Sequence, residues 1–403
     1  LERILHNQLY DHFESNKLFC VSQYGFRKNR STTGAVQDLI KFLTSCFEEE
    51  QIGIVSFLDL SKAFDCVSHN ILLNKMSAYN IDLQSIDLIK SYLSNRSQVV
   101  KINDKMSHRL SIERGVPQGS ILGPLLFLVF INDLPNHLNS NSVLYADDTT
   151  LMNKATSLPT VVHLSKNTYS KAWNWFHRNE LCLNFDKSVN MLFTLKKVDN
   201  NNYDDSVKFL GLYIDSKLNW GIHGEMIASK MSKGIFLLRN LKDRVPPKIL
   251  RVAYFALCES HIMYGNQIWG HSVIRHRIFG LQRRAIRIIA GLKYRENCKM
   301  AYTELSILTF PCLYILNCLL DVRRNVAAYK YHGDVHNHNT RQKDLLYTKR
   351  LRVSKSRTGL DYYGITFYNK LPAAVQKLDL TTFKDTVKSF LISKAYYDTS
   401  DFY

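Results

Sequence analysis

The chain of 403 residues is long enough for two or three domains with a sizeable core, and 45% of its residues are hydrophobic and 22% charged. This balance is typical of a folded protein and excludes a disordered chain. The net charge of +18 favours a polyanionic partner, with nucleic acid ahead of an acidic membrane surface.

The first predicted elements are two helices joined by a basic loop. Apolar residues with helical spacing predict an amphipathic helix over residues 1–16, and this pattern begins at the first residue, so we expect the domain to start upstream of Leu1. A second helix is predicted over 35–47, capped by Ser31 or Thr32. The loop between them contains Arg27, beside a helix N-terminus that would suit a phosphate chain. A solvated basic loop is the alternative interpretation.

A nearly continuous apolar run, Ile52–Leu60, predicts a central strand that carries one carboxylate near its end. Asp59 at that position is either a metal ligand or a simple strand-end cap. Phe64 follows five residues later, so it either forms a wall of the same site or is an ordinary core aromatic. A helix is predicted next, over residues 71–79.

Two short strands, 97–102 and 108–112, are predicted before a loop that contains two glycines and a proline, Gly115–Ser120. Such a loop allows a ligand or another backbone to approach closely. Gln118 in this loop could line a base or sugar pocket. The apolar segment 121–134 then predicts a helix that begins near Gly119 or Ser120 and whose apolar face belongs to the core.

Two adjacent acids, Asp147 and Asp148, lie between apolar and β-branched residues, as at or near the turn of a hairpin. A solvated acidic turn is the simplest interpretation of this stretch alone. Burying both carboxylates without a cation is costly, and a hard divalent ion removes that conflict. Together with Asp59 they form an oxygen-ligand set suited to two Mg²⁺ ions, which can activate a hydroxyl and stabilise a leaving pyrophosphate.

A helix containing Trp173, Trp175 and Phe176 is predicted next, followed by strands over 189–195 and 207–214, the latter broken by Gly211. Basic helices follow from about Trp220. Residues 225–300 carry 15 basic and 4 acidic side chains, and the loop-like segment 341–358 carries 7 basic and 1 acidic, so most of the excess charge lies in these blocks. They could hold a nucleic-acid duplex. A last amphipathic helix is predicted over 383–396.

Two further classes of site receive little support. No uncharged apolar run reaches membrane-spanning length and no signal peptide opens the chain, so we expect no membrane partner. Eight cysteines without a C-x-x-C pair predict reduced thiols in an intracellular protein. A zinc site can be assembled from six C-terminal residues, but their spacing matches no compact zinc module: Cys298, Cys312, Cys318, His332, His336 and His338.

Five segments resemble the motifs of reverse transcriptases in their order and spacing. Their amino-acid sequences are most similar to those of non-LTR (LINE-type) retrotransposons of the jockey type. They are Phe57–Asp65, Gly115–Ser120, Tyr145–Asp148, Leu183–Ser188 and Phe209–Gly211. The resemblance implies an α+β right-hand polymerase fold, with an antiparallel palm sheet and packed helices, partial fingers and a helical thumb. It assigns residues 1–215 to the fingers and palm, 216–310 to the basic thumb and 311–403 to a C-terminal helical extension.

The resemblance also implies roles for the site residues. Asp59, Asp147 and Asp148 would bind two Mg²⁺ ions, with Mn²⁺ as a possible substitute, assisted by the carbonyl of Leu60. Lys187 would donate a proton to the leaving pyrophosphate. Phe64 would crowd a ribose 2′-OH and so favour dNTPs. The other implied contacts are with the triphosphate, the nucleotide and template, and the primer: Arg27, Lys62, Ala63, Gln118, Gly119, Phe209, Leu210 and Gly211.

The function that follows is an RNA-directed DNA polymerase acting in retrotransposition, with an RNA template, a DNA primer and dNTPs as partners. The expected place of action is the nucleus, with a cytoplasmic ribonucleoprotein stage. An upstream fingers strand and an endonuclease are expected before Leu1, and no cysteine-rich nucleic-acid-binding motif is present near the end. A non-catalytic nucleic-acid-binding protein and a two-metal nuclease are the alternatives.

Overall fold

The computed structural model describes residues 1–198, 202–335 and 342–403, which form two compact units, 1–210 and 211–403. The first unit combines helices with an antiparallel sheet, and the second is mainly helical. The predicted α+β class is therefore confirmed. The two units divide between Leu210 and Gly211, and the predicted domain boundaries at residues 215 and 310 stay predictions.

The first unit contains helices in four groups that alternate with strands along the chain. Its helices are α1 (Glu2–Ser15), α2 (Thr32–Glu48), α3 (His69–Ala78), α4 (Leu83–Leu93), α5 (Leu122–Ile131), α6 (Leu134–Leu138) and α7 (Leu158–Arg178). Its strands are β1 (Ile52–Leu60), β2 (Arg96–Gln98), β3 (Lys101–Ile102), β4 (Lys105–Met106), β5 (Leu110–Ile112), β6 (Asn141–Tyr145), β7 (Asp148–Ala155), β8 (Leu183–Phe193) and β9 (Ser206–Phe209).

The second unit begins with strand β10 (Leu212–Asp215) and continues as helices. They are α8 (Gly221–Leu241), α9 (Pro247–Tyr254), α10 (Ser260–Met263), α11 (Asn266–Trp269), α12 (Arg275–Ile289), α13 (Lys299–Glu304), α14 (Phe310–Arg324), α15 (His332–Val335), α16 (Leu360–Lys370), α17 (Ala373–Gln376) and α18 (Leu380–Lys394). A π-helical turn, Phe255–Glu259, joins α9 to α10.

The main sheet of the first unit has the strand order β6-β7-β1-β8, with antiparallel pairing throughout. Strand β1 lies between two neighbours and is buried along almost its whole length, which explains its continuous apolar sequence. Leu58 and Leu60 belong to the helix-packed core. Because side chains alternate between the two faces of a strand, Phe57 and Asp59 point to the opposite face.

The helix-packed core is built around α5, whose side chains are almost all buried, so it is apolar on every side. Residues of α1, α3, α4 and α7 pack into the same core. The apolar run predicted as one helix is divided after α5, where the buried side chain of Asn132 donates to the Leu18 carbonyl and accepts from the Cys20 N–H. Asp133 next to it is hydrogen-bonded by Trp175 and forms an ion pair with Lys75.

Several predicted elements are confirmed. Strand β1 has the predicted bounds, and α2 begins just after Ser31, whose side chain accepts a hydrogen bond from the Gly34 N–H. Other bounds were wrong. The two strands expected over 97–112 are four shorter ones, α4 was not predicted, and β8 begins at Leu183 instead of residue 189.

The second unit confirms the basic helices predicted after Trp220 and the helical tail, observed as α18. The zinc site that could be assembled from six C-terminal residues gains no support from the described part of the chain. Cys298 contacts the Tyr397 hydroxyl and Cys312 donates to the Leu391 carbonyl, while His336 and His338 lie outside the described residues. Across 1–198, 202–335 and 342–403, no three acidic, cysteine or histidine side chains are grouped closely enough to hold a metal ion. In the same ranges, no helix has both the length and the apolar content needed to cross a bilayer.

Candidate active site

The carboxylate of Asp59 and the adjacent pair Asp147 and Asp148, which are distant in sequence, come together at one end of the main sheet. Ala146 and Asp147 form the turn between β6 and β7, because Tyr145 pairs with Asp148. Strand β1 pairs with β7 up to Leu58 and Thr149. Asp59 and Asp148 are the next residues beyond that pair, so they are cross-strand neighbours. The structure confirms the predicted hairpin, with the two acids at its turn.

The three carboxylates are electrostatically coupled. Burial, followed by the charges of Asp147 and Asp59, raises the pKa of Asp148 to about 6. Burial and the charge of Asp59 also raise the pKa of Asp147. The nearest compensating charge is Lys187, whose Nζ lies 3.9 Å from Asp59 Oδ2 with both side chains partly exposed, and such a pair contributes little. The site therefore retains excess negative charge.

This set of donors suits a hard divalent cation. Carboxylate oxygens are the ligands that Mg²⁺ and Mn²⁺ prefer, and a cation would remove the repulsion that raises the pKa of Asp148. Within the described part of the chain, however, these side chains are not already arranged around a common point. Binding an ion would require them to turn toward it. Leu60, whose carbonyl was predicted to assist, is buried and pairs with Leu183 of β8.

Lys187 lies in a bulge of β8 opposite Asp59. Asp59 pairs with Asn184 and Phe57 pairs with Val189, so residues 185–188 loop out of the ladder. The bulge is closed by a hydrogen bond from the Ser188 hydroxyl to the Asn184 carbonyl, 2.8 Å long. It presents the exposed Lys187 side chain toward the carboxylates. This bulge was not predicted, because the segment was interpreted as lying before the strand.

Phe64, which follows Asp59 by five residues, is held by aromatic contacts. Its ring stacks on Phe127 of α5 with centroids 4.5 Å apart and meets Phe26 edge-on at 6.4 Å. Lys62 precedes it in a left-handed conformation with an exposed side chain, and Ala63 is buried. The half-buried Phe64 ring is therefore firmly held. Its role as a wall of the site stays a prediction, since these contacts also fit an aromatic packed against the core.

The loop that contains Gln118 is joined to the loop that contains Phe64. The Val116 N–H donates to the Phe64 carbonyl at 2.8 Å, and Gln118 Nε2 donates to Asp65 Oδ1 at 2.8 Å. Gly115 has a positive φ, and a Cβ there would lie 2.7 Å from the Asp65 carbonyl oxygen, so only glycine fits. Gly119 also has a positive φ and faces open space. The two motifs thus form one surface.

Arg27 does not present its charge to this surface. Its Nε and Nη2 donate to the two carboxylate oxygens of Glu14 at 3.0 Å each, and its Nη1 donates to the Cys20 carbonyl at 2.8 Å. The side chain is only 10% exposed, and its hydrogen bonds hold the pKa of Glu14 below the usual range. Because every nitrogen is already engaged, these contacts argue against the role at a triphosphate that was predicted from sequence.

Phe209 packs on Phe57, with ring centroids 5.3 Å apart, and so lies on the face of β1 that carries Asp59. Leu210 and Gly211 follow with consecutive positive φ values of 44° and 85°, which make a tight turn. Glycine is favoured at position 211 more than at position 210, because a φ of 85° lies further outside the left-handed region that other L-residues tolerate.

Sequence reasoning missed one residue that touches the turn before Asp147. Gln23 is 1% exposed, and its side-chain amide is hydrogen-bonded to the peptide groups of Ala146. The only sequence signal was a polar residue in a loop otherwise interpreted as basic and solvated. A side chain that acts across 123 residues leaves no periodic pattern that could reveal it.

Comparison with known proteins shows which family the chain resembles. Residues 1–214 match the family described as "Reverse transcriptase (RNA-dependent DNA polymerase)". The chain is 29% identical over 332 residues to the probable RNA-directed DNA polymerase from transposon BS of Drosophila melanogaster, and 26% identical over 330 residues to the RNA-directed DNA polymerase from mobile element jockey of the same species. Each match covers 76% of this chain and 36% of the relative, so the chain spans about a third of these relatives.

A solved structure of telomerase from Candida albicans, in complex with a fragment of telomeric RNA, matches 80% of this chain and 55% of its own chain. The sequence identity is 14% and the TM-score is 0.47. A likeness at this level carries no argument about site or substrate.

The raised pKa of Asp148 makes the stability of the metal-free protein depend on pH. Its folded pKa of about 6 lies above the ordinary value of 3.8, so the folded state binds the proton more tightly and stability falls as pH rises from about 4 to above 6. We expect Asp148→Asn to flatten this fall and to raise the Tm at pH 7 in the presence of a chelator. Thermal unfolding at pH 5 and pH 7 measures both effects.

Asp87→Asn, an exposed carboxylate of α4, is the matched control and should leave the pH dependence unchanged. Adding Mg²⁺ at pH 7 should raise the Tm of the wild type more than that of Asp148→Asn, because a ligand stabilises the state that binds it. If the Tm of the wild type, Asp148→Asn and Asp87→Asn fell equally with pH, the coupling between Asp148 and its neighbouring carboxylates would be contradicted.

The contacts of Arg27 give a second prediction. Glu14→Gln leaves the guanidinium partly buried without its charge partner, so we expect a loss of about 2–3 kcal/mol in the free energy of unfolding. Arg27→Ala should cause a similar loss. Urea denaturation of both variants measures it. A variant of Arg27 with unchanged stability and a raised KM for nucleotide would instead restore the role predicted from sequence.

Proposed function

This chain belongs to the reverse transcriptase family, and from that premise we propose that it is an RNA-directed DNA polymerase. It would add dNTPs to the 3′-OH of a DNA primer along an RNA template, as part of a larger retrotransposon protein. The observation that carries the proposal is the meeting of Asp59, Asp147 and Asp148 at one end of the main sheet, where Phe209 packs on Phe57 of β1. The first unit then supplies the palm and fingers of the right-hand fold.

The family generally uses divalent metal ions, and the excess negative charge of the site supports two Mg²⁺ ions here, or Mn²⁺. Asp59, Asp147 and Asp148 would hold them, with the carbonyl of Leu60 assisting. When bound, the ions supply activation of the primer hydroxyl and stabilisation of the pyrophosphate. Lys187, held beside Asp59 by the bulge of β8, would hold the proton that passes to the leaving pyrophosphate.

The remaining residues would position the substrates. The stacked ring of Phe64 would crowd a ribose 2′-OH, and the N–H groups of Lys62 and Ala63 would approach the phosphates. Gln118, fixed by Asp65, would contact the incoming nucleotide. Gly119, where an added Cβ would point into open space among the described residues, would leave room for the template. The turn at Phe209–Gly211 would hold the primer end.

The second unit would bind the template–primer duplex through its basic residues, with 216–310 as the thumb and 311–403 as an extension of undefined role. The most basic blocks of the chain, 225–300 and 341–358, lie in this unit, which supports a phosphate-backbone partner. The proposed place of action is the nucleus, after a cytoplasmic ribonucleoprotein stage. A non-catalytic nucleic-acid-binding protein would use the same charge but has no need of three coupled carboxylates.

Primer extension tests the proposal directly. With an RNA template, a labelled DNA primer, Mg²⁺ and dNTPs, we expect product growth that Asp148→Asn reduces on the order of 100-fold or more. Asp87→Asn again serves as the control. A longer chain, closer to the length of these relatives, should be tested in parallel, because this chain spans 36% of each of them.

The proposed polymerase activity would be overturned if Asp148→Asn extended the primer as well as the wild type does. It would also be overturned if neither length of protein extended the primer. Tight RNA binding that does not depend on Mg²⁺, without extension, would favour the non-catalytic alternative. Shortening of the template without dNTPs would indicate a nuclease.

Phe64→Ala tests the choice of sugar. Removing the ring that stacks on Phe127 opens the wall beside the nucleotide, so we expect the efficiency of rNTP incorporation relative to dNTP to rise on the order of 10- to 100-fold. Single-nucleotide insertion with matched dNTP and rNTP measures this ratio. Phe390→Ala, which removes an exposed aromatic of α18, should leave the ratio unchanged, and an unchanged ratio in Phe64→Ala would remove Phe64 from sugar selection.

A further inference from the structure

The strand that leads into the acidic turn is covered on its open edge by an upstream segment. Strand β6 is the first in the sheet order, so one side of it lacks a partner strand. The Leu144 N–H donates to the Ser22 carbonyl at 2.9 Å, and the Tyr24 N–H donates to the Leu144 carbonyl at 2.8 Å. Gln23 lies between these two bonds and is paired in parallel with Leu144.

The side chain of Gln23 continues this contact as far as the turn. Its Oε1 accepts from the N–H of Ala146 at 3.0 Å and from the N–H of Gly25 at 2.7 Å. Its Nε2 donates toward the Ala146 carbonyl, at 3.4 Å. One buried amide therefore engages both the N–H and the C=O of the residue directly before Asp147.

Ala146 needs such support because its φ is +56°, in the left-handed region. An L-residue other than glycine is destabilised there by about 1–2 kcal/mol. The backbone of the upstream segment approaches it very closely, since a Cβ on Gly25 would lie 2.4 Å from the Ala146 nitrogen. Any side chain at position 25 is thereby excluded, and the turn is contacted by both the Gly25 backbone and the Gln23 amide.

We propose that Gln23 is a positioning residue for the acidic pair: it fixes the left-handed turn at Ala146 and so places the backbone of Asp147 and Asp148 where their carboxylates can turn toward a divalent cation. This inference rests on the proposed function and deepens it. Gln23 does not touch substrate and is not itself catalytic. Among side chains of its length, only an amide can accept from two N–H groups and donate to a carbonyl without adding charge.

A glutamate at this position shows why neutrality matters. Its carboxylate can accept from both N–H groups but cannot donate to the Ala146 carbonyl, and it adds a negative charge behind carboxylates that already repel one another. A methionine has nearly the same length and removes all three hydrogen bonds, leaving the Ala146 and Gly25 N–H groups unsatisfied in a buried place. The two substitutions separate loss of hydrogen bonding from added charge.

Metal binding without substrate is the primary test. Binding of Mn²⁺ to the full chain is measured from the loss of the free-ion signal in electron paramagnetic resonance. We expect the affinity to fall on the order of 10-fold or more in Gln23→Met and in Gln23→Glu. In primer extension, kcat should fall by a similar factor while the KM for dNTP stays within about twofold, because the nucleotide contacts are elsewhere. If Gln23→Met yields no folded protein, Gln23→Glu provides the same two measurements.

Asn132→Ala is the matched control. Asn132 is also a buried amide, and it holds the same upstream segment through Leu18 and Cys20, but it does not touch the turn. This variant should lose stability and keep the wild-type affinity for Mn²⁺. An equal loss of affinity in Asn132→Ala, or an unchanged affinity in both Gln23 variants, would overturn the proposal.

The Mn²⁺ measurement does not depend on polymerase activity. If the wild type binds Mn²⁺ but extends no primer, the proposed function fails while the role of Gln23 is still decided by the affinity difference. If extension occurs and Gln23 has no effect on ion binding, the positioning role fails alone.

Discussion

The first unit has to hold three mutually repelling carboxylates close together, and this constraint governs the rest of its structure. Asp59, Asp147 and Asp148 are brought together by strand pairing, and both burial and proximity raise the pKa of the last two. A cross-strand arrangement of this kind is maintained only when the sheet beneath it is stable by itself. The buried β1 strand and the apolar helix α5 behind it supply that stability, because they bury apolar side chains far from the charges.

Backbone and amide hydrogen bonds hold the loops around the carboxylates, and the Arg27–Glu14 ion pair attaches the segment that contains Gln23 to α1. Gln118 is tied to Asp65, the Val116 N–H to the Phe64 carbonyl, and Gln23 to the turn at Ala146. Neutral groups fix position without changing the local electrostatic field, so the excess negative charge remains available to a cation. A salt bridge in the same places would neutralise part of that charge and weaken the site.

The parts that sequence predicted are those with local patterns. Strand β1 is a continuous apolar run with one acid near its end, and the turn carries two acids between β-branched residues, so both could be placed from the sequence. The bulge at Lys187, the division after α5 at Asn132 and the contact of Gln23 could not. Each depends on partners between about 100 and 130 residues away, and such contacts impose no period on the sequence.

The segment from Gln23 to Arg27 shows how the same residues can suggest one role and perform another. Its basic side chains beside a helix N-terminus predicted a loop that binds phosphate. In the structure, Arg27 is engaged by Glu14 and the Cys20 carbonyl, which attaches the segment to α1, while Gln23 and Gly25 close on the turn before Asp147. A mobile anion-binding loop could not hold that turn, since fixing a strained residue requires a rigid partner. The ion pair of Arg27 is therefore part of what keeps Gln23 in place, and the basic charge of this motif serves the geometry of the acids.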